Sequence, residues 1–320
     1  MLEIFDEIKE EIKCVERELR LVVDDSDPLI KDTSIHLISA GGKRLRPAFS
    51  FLGGKFYNYD YKKILPLAVA LELIHMASLV HDDVVDSSLT RRNIPTVKAM
   101  WGNKISTHLG DYLFGKSLKL IAGCNNYTIS KVLADTSVRM TEGEIQQLYS
   151  ANSSDQGIRD YFYRIKRKTA LLIAASCQLG AVACGAPESV HLPLRRYGHS
   201  IGMAFQITDD ILDLVADEEK LGKPIGSDLK QGIVTLPLIH ALRHSPQRDR
   251  LKKILDDGGK GPEDVKEACE IIVSGGGIEY SNKIVQRYID NAKRQLDRLP
   301  DITARHTLYT VAEFISIRKF

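Results

Sequence analysis

The apolar residues follow a helical spacing along almost the whole chain, and this periodicity constrains the fold more than any other feature. Breaks such as Gly41-Gly42, Asn125-Asn126 and Ala186-Pro187 separate segments of about 15 to 30 residues that share the spacing. No run of alternating polar and apolar residues appears, and nothing resembles a flexible linker. The sequence therefore predicts an all-α fold, with one large helical-bundle domain over residues 1–320.

Two classes of helix are expected within that bundle. The segments 65–80 and 169–186 are apolar nearly all round, which is typical of internal helices. Near the N-terminus, apolar residues recur in steps of three and four and give one helix an apolar face: Phe5, Ile8, Ile12, Val15, Leu19 and Val22. We expect this face to pack on the chain's own bundle, with a partner helix as the alternative.

The charge balance and the cysteines exclude several classes of protein. With 44 Lys plus Arg against 42 Asp plus Glu, the net charge of +2 does not favour nucleic-acid binding by bulk charge. Five cysteines without a Cys-x-x-Cys pair indicate neither a disulfide framework nor a zinc site, and they fit a reducing cytosol. Residues 1–13 lack the basic start and apolar run of a signal peptide. We therefore expect a cytoplasmic location.

The longest uncharged stretch, residues 169–187, is rich in Ala, Gly, Ser and Cys. It is a little shorter than the ~20 residues that a membrane-spanning helix needs. The composition favours a buried, closely packed helix, and we expect no transmembrane segment.

Two Asp-Asp-x-x-Asp motifs, at residues 82–86 and 209–213, each end an apolar segment. Residues i and i+4 lie on one helix face, about 6 Å apart along the axis, so Asp82 and Asp86 can point at the same place. Asp209 and Asp213 can do the same. If the two helix ends face each other, their like charges repel unless a cation lies between them. Mg2+ suits such a site, because it prefers one or two carboxylates, several waters and the phosphate oxygens of a substrate.

A solvated acidic helix end is the plain explanation for one such motif. Two copies, each after an apolar segment, favour the metal site instead. A calcium-binding loop is a weaker alternative, because the spaced ligands and the Gly of that loop are absent from both motifs.

Basic residues that could bind a metal-held diphosphate occur near predicted helix ends. Lys43, Arg44 and Arg46 follow a Gly pair, and the Pro47 that comes next fits the first turn of a new helix. The pair Arg91-Arg92 lies just beyond the first aspartate motif. Singly, each of these charges could be a solvated surface residue.

Further candidates accompany the second half of the chain and the internal helices. Lys168-Thr169 opens an internal helix, and Lys223 lies beyond the second aspartate motif in Gly222-Lys223-Pro224. Each acidic motif is thus followed by a cationic loop. His75 lies two helical turns before Asp82 and could equally be a core histidine, and Gln206 could be a buried amide.

In these residues the sequence resembles the trans-isoprenyl diphosphate synthase family, and the resemblance covers nearly the whole chain. Asn93 departs from the family pattern, which usually has Gly after the Arg pair. Within the family, residues 73–78 and 318–320 look most like component II of heptaprenyl diphosphate synthases. The family motifs match in order at Gly41–Pro47, Asp82–Asp86, Arg91-Arg92, Lys168-Thr169, Phe205-Gln206, Asp209–Asp213 and Gly226–Leu229.

The resemblance implies a helical bundle of the isoprenoid synthase type with a central apolar cavity. It implies several Mg2+ ions held with the allylic diphosphate by Asp82, Asp86 and Asp209, with Asp83 and Asp213 in support. It assigns isopentenyl diphosphate to Lys43, Arg46, His75 and Arg92. It assigns the allylic diphosphate to Arg91, Lys168, Thr169, Gln206 and Lys223. The residues with a catalytic role would be Asp82, Asp86, Arg91, Lys168, Asp209 and Lys223.

The implied reaction is a magnesium-dependent prenyl transfer from an allylic diphosphate to isopentenyl diphosphate, supplying quinone side chains such as that of menaquinone. Ala77 and Ser78, one turn before the first motif, are small, so a growing chain would pass them. We therefore expect a heptaprenyl-like product that is longer than farnesyl. The alternative is that these small residues only allow close helix packing.

The resemblance also implies a homodimer, or a heterodimer with a small regulatory subunit, and peripheral membrane contact during product release. A shorter-chain farnesyl or geranylgeranyl synthase is the nearest alternative function. A terpene cyclase usually pairs one aspartate motif with an Asn/Ser/Glu site and needs no isopentenyl diphosphate site. A regulatory subunit without activity would be expected to lose acidic motifs, and none is lost.

Overall fold

The computed structural model describes residues 2–24, 27–150, 154–215, 225–257 and 261–317. Helices make up 82 % of the structure and strands almost none, so the predicted all-α class is confirmed. The chain divides into two compact units, so that its single-domain organisation stays a prediction. The first unit comprises residues 1–137, 172–195 and 298–308, and the second comprises residues 138–171, 196–297 and 309–320.

The helices are numbered in chain order. A 3-10 turn (Leu2–Ile8) precedes α1, and a π-helical turn (Lys166–Ala170) joins α7 to α8. The helices are α1 (Lys9–Asp24), α2 (Pro28–Ser39), α3 (Leu45–Gly54), α4 (Tyr61–Val85), α5 (Val97–Gly123), α6 (Tyr127–Ser150), α7 (Ile158–Ile165), α8 (Leu171–Ala183), α9 (Glu188–Val215), α10 (Ser227–Lys230), α11 (Leu236–His244), α12 (Arg248–Asp256), α13 (Pro262–Ser274), α14 (Gly277–Leu296) and α15 (Thr303–Ile317).

Helix α4 is the central helix of the first unit and packs against α1, α3 and α5. The Asp60 carboxylate accepts a 3.1 Å hydrogen bond from the Lys62 amide and so caps its N-terminus. Its length and composition would allow α4 to cross a membrane, which the sequence pattern had suggested as an alternative only for residues 169–187. Of the most apolar part of α4, 67 % is buried inside the structure, as in a core helix.

The apolar face at the N-terminus packs inside the first unit, as expected. Phe5, Ile8, Val15 and Leu19 are all buried, and the Phe5 ring meets the Phe49 ring edge-on at 6.5 Å between centroids. This burial removes apolar area from water and fixes α1 against the unit's core. Side chains of α1 can therefore contact the loop that precedes α3.

Helices α3 and α8 cross at very short range in the first unit. Gly53 lies against the Cys177 backbone carbonyl, and Gly180 lies against the Ser50 carbonyl. A Cβ at either glycine would collide with backbone, so only glycine permits this approach. Helix α8 is buried along nearly its whole length, which confirms the predicted internal helix.

A two-residue hairpin between α4 and α5 was not predicted. Strand β1 (Thr90–Arg91) pairs antiparallel with β2 (Ile94–Pro95), and the two turn residues, Arg92 and Asn93, have φ of +53° and +63°. A type I′ turn requires positive φ at both positions, and Asn is among the residues that tolerate it. The departure from the family's Gly at position 93 therefore preserves the turn.

In the second unit, α11 packs against α7, α12, α13 and α14. Pro237 in the first turn of α11 needs no hydrogen-bonded amide there, and Leu236, Leu238 and Ile239 are buried. The turn before α8, which contains Lys168 and Thr169, is π-helical and so has one more residue than a regular helical turn. Such turns occur often at functional sites.

Candidate functional site

The first aspartate motif lies at the C-terminal end of α4, in the first unit. Asp82 and Asp83 are in the last turn, and Asp86 caps the helix with its amide bonded to the Asp82 carbonyl at 2.8 Å. The helix dipole disfavours negative charge at this end, and the last turn contains no basic residue. The motif therefore needs cations from elsewhere.

One such cation comes from the hairpin. The Arg91 guanidinium binds both carboxylate oxygens of Asp83, with Nη2–Oδ1 at 2.8 Å and Nε–Oδ2 at 3.3 Å. Asp83 is 4 % exposed, so this pair is largely removed from water. Fork geometry of this kind fixes direction as well as charge. Asp82 and Asp86 are half-buried on the same helix end.

Four arginines surround His75, two turns earlier on α4. Burial and the positive charges of Arg46, Arg92, Arg91 and Arg44 lower the pKa of His75 well below its usual range. The imidazole is therefore neutral near pH 7 and can donate a hydrogen bond without adding charge. Of the predicted loop cations, Lys43 is exposed and Arg46 is half-buried in the first turn of α3.

Arg92 is the cation of this cluster that would gain most from an anionic partner. Its guanidinium lies against Gly42, where a Cβ would come within 2.9 Å of Nη1. Partial burial and the charges of Arg44 and Arg91 lower the pKa of Arg92. Within the described ranges Arg92 forms no ion pair with a carboxylate. An anion bound here would relieve the repulsion among these cations.

Arg44 has a different environment from the one its place in the basic loop suggested. Its side chain is 3 % exposed and is bound by Glu16 and Glu72. Neither glutamate was predicted as a site residue. Glu72 did leave a signal, since it is the only charge within the apolar run of α4 from Ile64 to Ile74.

The second aspartate motif ends α9, in the second unit. Asp209 is half-buried, whereas Asp210 is 4 % exposed and accepts hydrogen bonds from Tyr161 Oη at 2.6 Å and Gln206 Nε2 at 2.9 Å. Burial raises the pKa of Asp210 to about 6, although both hydrogen bonds oppose the shift. Tyr161 was not predicted, and no sequence pattern marked it.

Two predicted residues, Thr169 and Gln206, are linked to this motif within the second unit, and a third, Lys168, lies on the same π-helical turn as Thr169. Thr169 Oγ1 donates to Gln206 Oε1 at 2.7 Å, and Gln206 in turn donates to Asp210. Lys168 Nζ donates to Glu144 Oε2 at 3.2 Å. The π-helical turn and the end of α9 are thus connected by a chain of hydrogen bonds, which orients the Gln206 amide.

Asp213 is connected to the segment that follows the second motif. Its carboxylate accepts hydrogen bonds from Ser227 Oγ at 2.6 Å and from the Asp228 amide at 3.1 Å. It therefore holds the start of α10. Lys223 lies outside the described residues, as do the closing residues 318–320.

The two motifs lie in different units, so their predicted convergence stays a prediction. Across the described ranges, no group of three or more His, Cys, Asp or Glu side chains could hold a metal ion. Mg2+ does not need such a group, because waters and substrate phosphates complete its octahedron. The motifs supply hard carboxylate oxygens at helix ends that lack basic residues, and this donor set fits Mg2+ bound together with a phosphate ester.

Ala77 and Ser78 lie on α4 as expected for the predicted chain-length positions. Ala77 is 2 % exposed, and Ser78 is half-buried with its hydroxyl bonded to the His75 carbonyl at 2.8 Å. The Ser78 hydroxyl is therefore satisfied inside its own helix and presents mainly its small size. The chain-length role of both residues stays a prediction.

The sequence of this chain is similar to a known protein family and to proteins of known activity. Residues 27–272 match the family model described as "Polyprenyl synthetase". The chain is 44 % identical over 313 residues to heptaprenyl diphosphate synthase component 2 from Bacillus subtilis (strain 168), covering 98 % of this chain and 89 % of that one.

Two solved structures share the fold over nearly their full length. Heptaprenyl diphosphate synthase from Staphylococcus aureus is 33 % identical, with a TM-score of 0.92 and coverage of 98 % of this chain and 99 % of that one. Polyprenyl synthase from Caulobacter crescentus CB15, complexed with calcium and isoprenyl diphosphate, is 32 % identical, with a TM-score of 0.94 and coverage of 99 % and 97 %.

Proposed function

The chain belongs to the polyprenyl synthetase family, and from this premise we propose that it is a trans-polyprenyl diphosphate synthase that adds isopentenyl diphosphate to an allylic diphosphate. The family match confirms the expected fold type and the expectation of a prenyltransferase. Within this chain, the proposal rests on the cluster of arginines around His75. His75 lies on α4, the helix that ends in the first aspartate motif.

The first unit contains the features of a diphosphate receptor. Burial and the neighbouring charges of Arg44 and Arg91 lower the pKa of Arg92, so binding of an anion at its guanidinium is favoured. Lys43 lies in the loop before α3 and Arg46 in the first turn of α3. The neutral His75 can donate a further hydrogen bond to the anion. This arrangement supports isopentenyl diphosphate as its ligand, as the family resemblance implies.

The allylic diphosphate would be held by the second set of residues. Arg91, fixed by Asp83, and Lys168 would contact its oxygens, and the Gln206 amide is oriented by Thr169 and Asp210. Asp82, Asp86 and Asp209 would hold Mg2+, with Asp83 and Asp213 in support. When bound, Mg2+ neutralises charge on the leaving diphosphate.

The chemistry needs no protein nucleophile. The allylic carbon–oxygen bond breaks, and the diphosphate departs with the electron pair. The π electrons of isopentenyl diphosphate form the new carbon–carbon bond, and a proton is then lost to the released diphosphate. Cationic side chains stabilise the departing charge, and holding the two substrates as neighbours lowers the barrier by several kcal/mol, up to roughly 10.

The partner, the product and the location follow from the same proposal. The B. subtilis relative is named component 2, which supports a second, different subunit, with a homodimer as the alternative. We expect a heptaprenyl-like product and a cytoplasmic location. A farnesyl or geranylgeranyl product is the alternative and would appear as a shorter chain in the same assay. A class I terpene cyclase would instead yield hydrocarbon without isopentenyl diphosphate.

The purified chain, with Mg2+, isopentenyl diphosphate and farnesyl diphosphate, provides the test. We expect elongated prenyl diphosphates, sized by chromatography with and without candidate partner subunits. Asp82→Asn and Asp209→Asn should each lower the rate about 10²- to 10³-fold, because each weakens a ligand of the Mg2+ that would stabilise the charge of the leaving group. Asp135→Asn, an exposed aspartate on α6, is the matched control and should keep full activity. Undiminished transfer in both motif variants would refute the proposal.

A further inference from the structure

Arg44 stands in the sequence between two predicted ligands of isopentenyl diphosphate, but its side chain is buried and ion-paired. Lys43 is exposed and Arg46 is half-buried, whereas Arg44 is 4 % exposed. Its backbone is left-handed, with φ +45° and ψ +41°, immediately before the first residue of α3. This conformation costs a residue with a Cβ roughly 1–2 kcal/mol, so something must hold it.

The side chain of Arg44 is held at both ends of its guanidinium. Glu16, on α1, accepts from Nε at 2.5 Å and from Nη2 at 3.2 Å. Glu72, on α4, accepts from Nη1 at 2.9 Å. The Ile38 carbonyl accepts a further hydrogen bond from Nη2 at 3.1 Å. Three separate helices, α1, α2 and α4, thus fix one side chain of the loop.

The buried part of this arrangement is the ion pair between Glu72 and Arg44. Glu72 is 3 % exposed, and its Oε2 has no hydrogen-bond partner among the residues that the structure describes. A buried carboxylate in this state is costly unless a cation lies beside it, and Arg44 is that cation. Burial lowers the pKa of Arg44, but its bonds to Glu16 and Glu72 outweigh the effect and raise it.

We propose that the ion-pair triad Glu16–Arg44–Glu72 is a positioning device for isopentenyl diphosphate. It holds residue 44 in the left-handed conformation and so directs Lys43 and Arg46 toward the diphosphate. The triad touches no substrate itself. The inference rests on the proposed function, and it assigns α1 a part in substrate binding through Glu16.

Glu16→Gln is the decisive variant, because the side chain of Glu16 is 36 % exposed and its loss leaves Glu72 paired with Arg44. Glu18→Gln is the matched control on the same helix, with a side chain 33 % exposed that lies 3.6 Å from the Arg17 guanidinium. Binding of isopentenyl diphosphate alone, measured by calorimetry, avoids turnover because no allylic substrate is present.

We expect Glu16→Gln to weaken this binding about fivefold to tenfold and to raise the KM for isopentenyl diphosphate equally. The KM for farnesyl diphosphate and kcat should stay within about twofold, and Glu18→Gln should match the parent. Glu16→Asp keeps the charge but cannot reach both nitrogens, so it should give an intermediate loss. Circular dichroism verifies that each variant is folded.

A purely electrostatic role makes the opposite prediction. Removing a negative charge near an anion site would tighten the binding of isopentenyl diphosphate. Tighter or unchanged binding in Glu16→Gln therefore overturns the proposal, as does an equal rise in the KM for farnesyl diphosphate. If the parent chain transfers no prenyl group either alone or with candidate partner subunits, the proposed function fails instead, and that result is distinct from an active parent with an unaffected Glu16→Gln variant.

Discussion

Replacing Gly180 by Ala should destabilise the protein, although alanine is the better helix former. A Cβ at position 180 would lie 1.8 Å from the Ser50 carbonyl oxygen, and ordinary contact begins at 3.4 Å. Helices α3 and α8 would therefore have to separate by about 1.6 Å at this crossing. The obstacle is backbone, so no side-chain rotation can relieve it.

The magnitude follows from two opposing effects. Overpacking a tight core costs about 1–3 kcal/mol, and we take the upper value because the obstacle is backbone. Ala gains about 1 kcal/mol over Gly in a helix interior. The net expectation is a loss of about 2 kcal/mol in the free energy of unfolding. Gly115 on α5 is exposed, and a Cβ added there would meet nothing within 4 Å, so Gly115→Ala is the matched control.

Urea denaturation followed by circular dichroism measures both variants. Gly115→Ala should raise the free energy of unfolding by roughly 0.5–1 kcal/mol, because only the helix preference changes. Gly180→Ala should lower it, so the two variants differ in sign. If Gly180→Ala is as stable as the parent while Gly115→Ala is stabilised, the close crossing of α3 and α8 is wrong.

Three further predictions concern single side chains. Tyr161→Phe removes the hydroxyl that donates to buried Asp210 and should cost about 1.5–3 kcal/mol in urea denaturation, whereas Tyr163→Phe, at a partly exposed ring, should cost under ~0.5. Asn93→Ala should lower the melting temperature through a cost of roughly 1 kcal/mol at positive φ, and Asn93→Gly should not. Ala77→Phe should shorten the product seen by chromatography, and an unchanged product spectrum would count against the chain-length role.

The helices were predictable because their signal is local. The 3.6-residue period and the position of Pro47 anticipated α3 and the internal helices, and burial then followed the apolar faces. The hairpin between α4 and α5 was missed because two-residue strands are too short to alternate. The π-helical turn was missed because the helix that follows it is apolar nearly all round, so a shift of one residue leaves no trace in its apolar pattern.

The site was predictable only in part, since contacts between distant residues decide which charges face a ligand. Lys43, Arg44 and Arg46 look equivalent in the sequence, yet Arg44 turns inward because Glu16 and Glu72, each 28 residues away, lie beside it. No helical spacing reaches that far. The family resemblance omitted Arg44 from the ligands, and the structure gives a physical reason for that omission.

The two aspartate motifs have a common internal pattern that follows from the helix period. Adjacent residues lie about 100° apart around a helix, so the first and second aspartates of a motif cannot face the same way. The second ones, Asp83 and Asp210, are each 4 % exposed and are bonded within their own unit. The first ones, Asp82 and Asp209, remain half-buried. Repeating the aspartate therefore lets one carboxylate hold the helix end in place while its neighbour faces another direction. A metal-bound substrate would need a carboxylate that faces in this second direction.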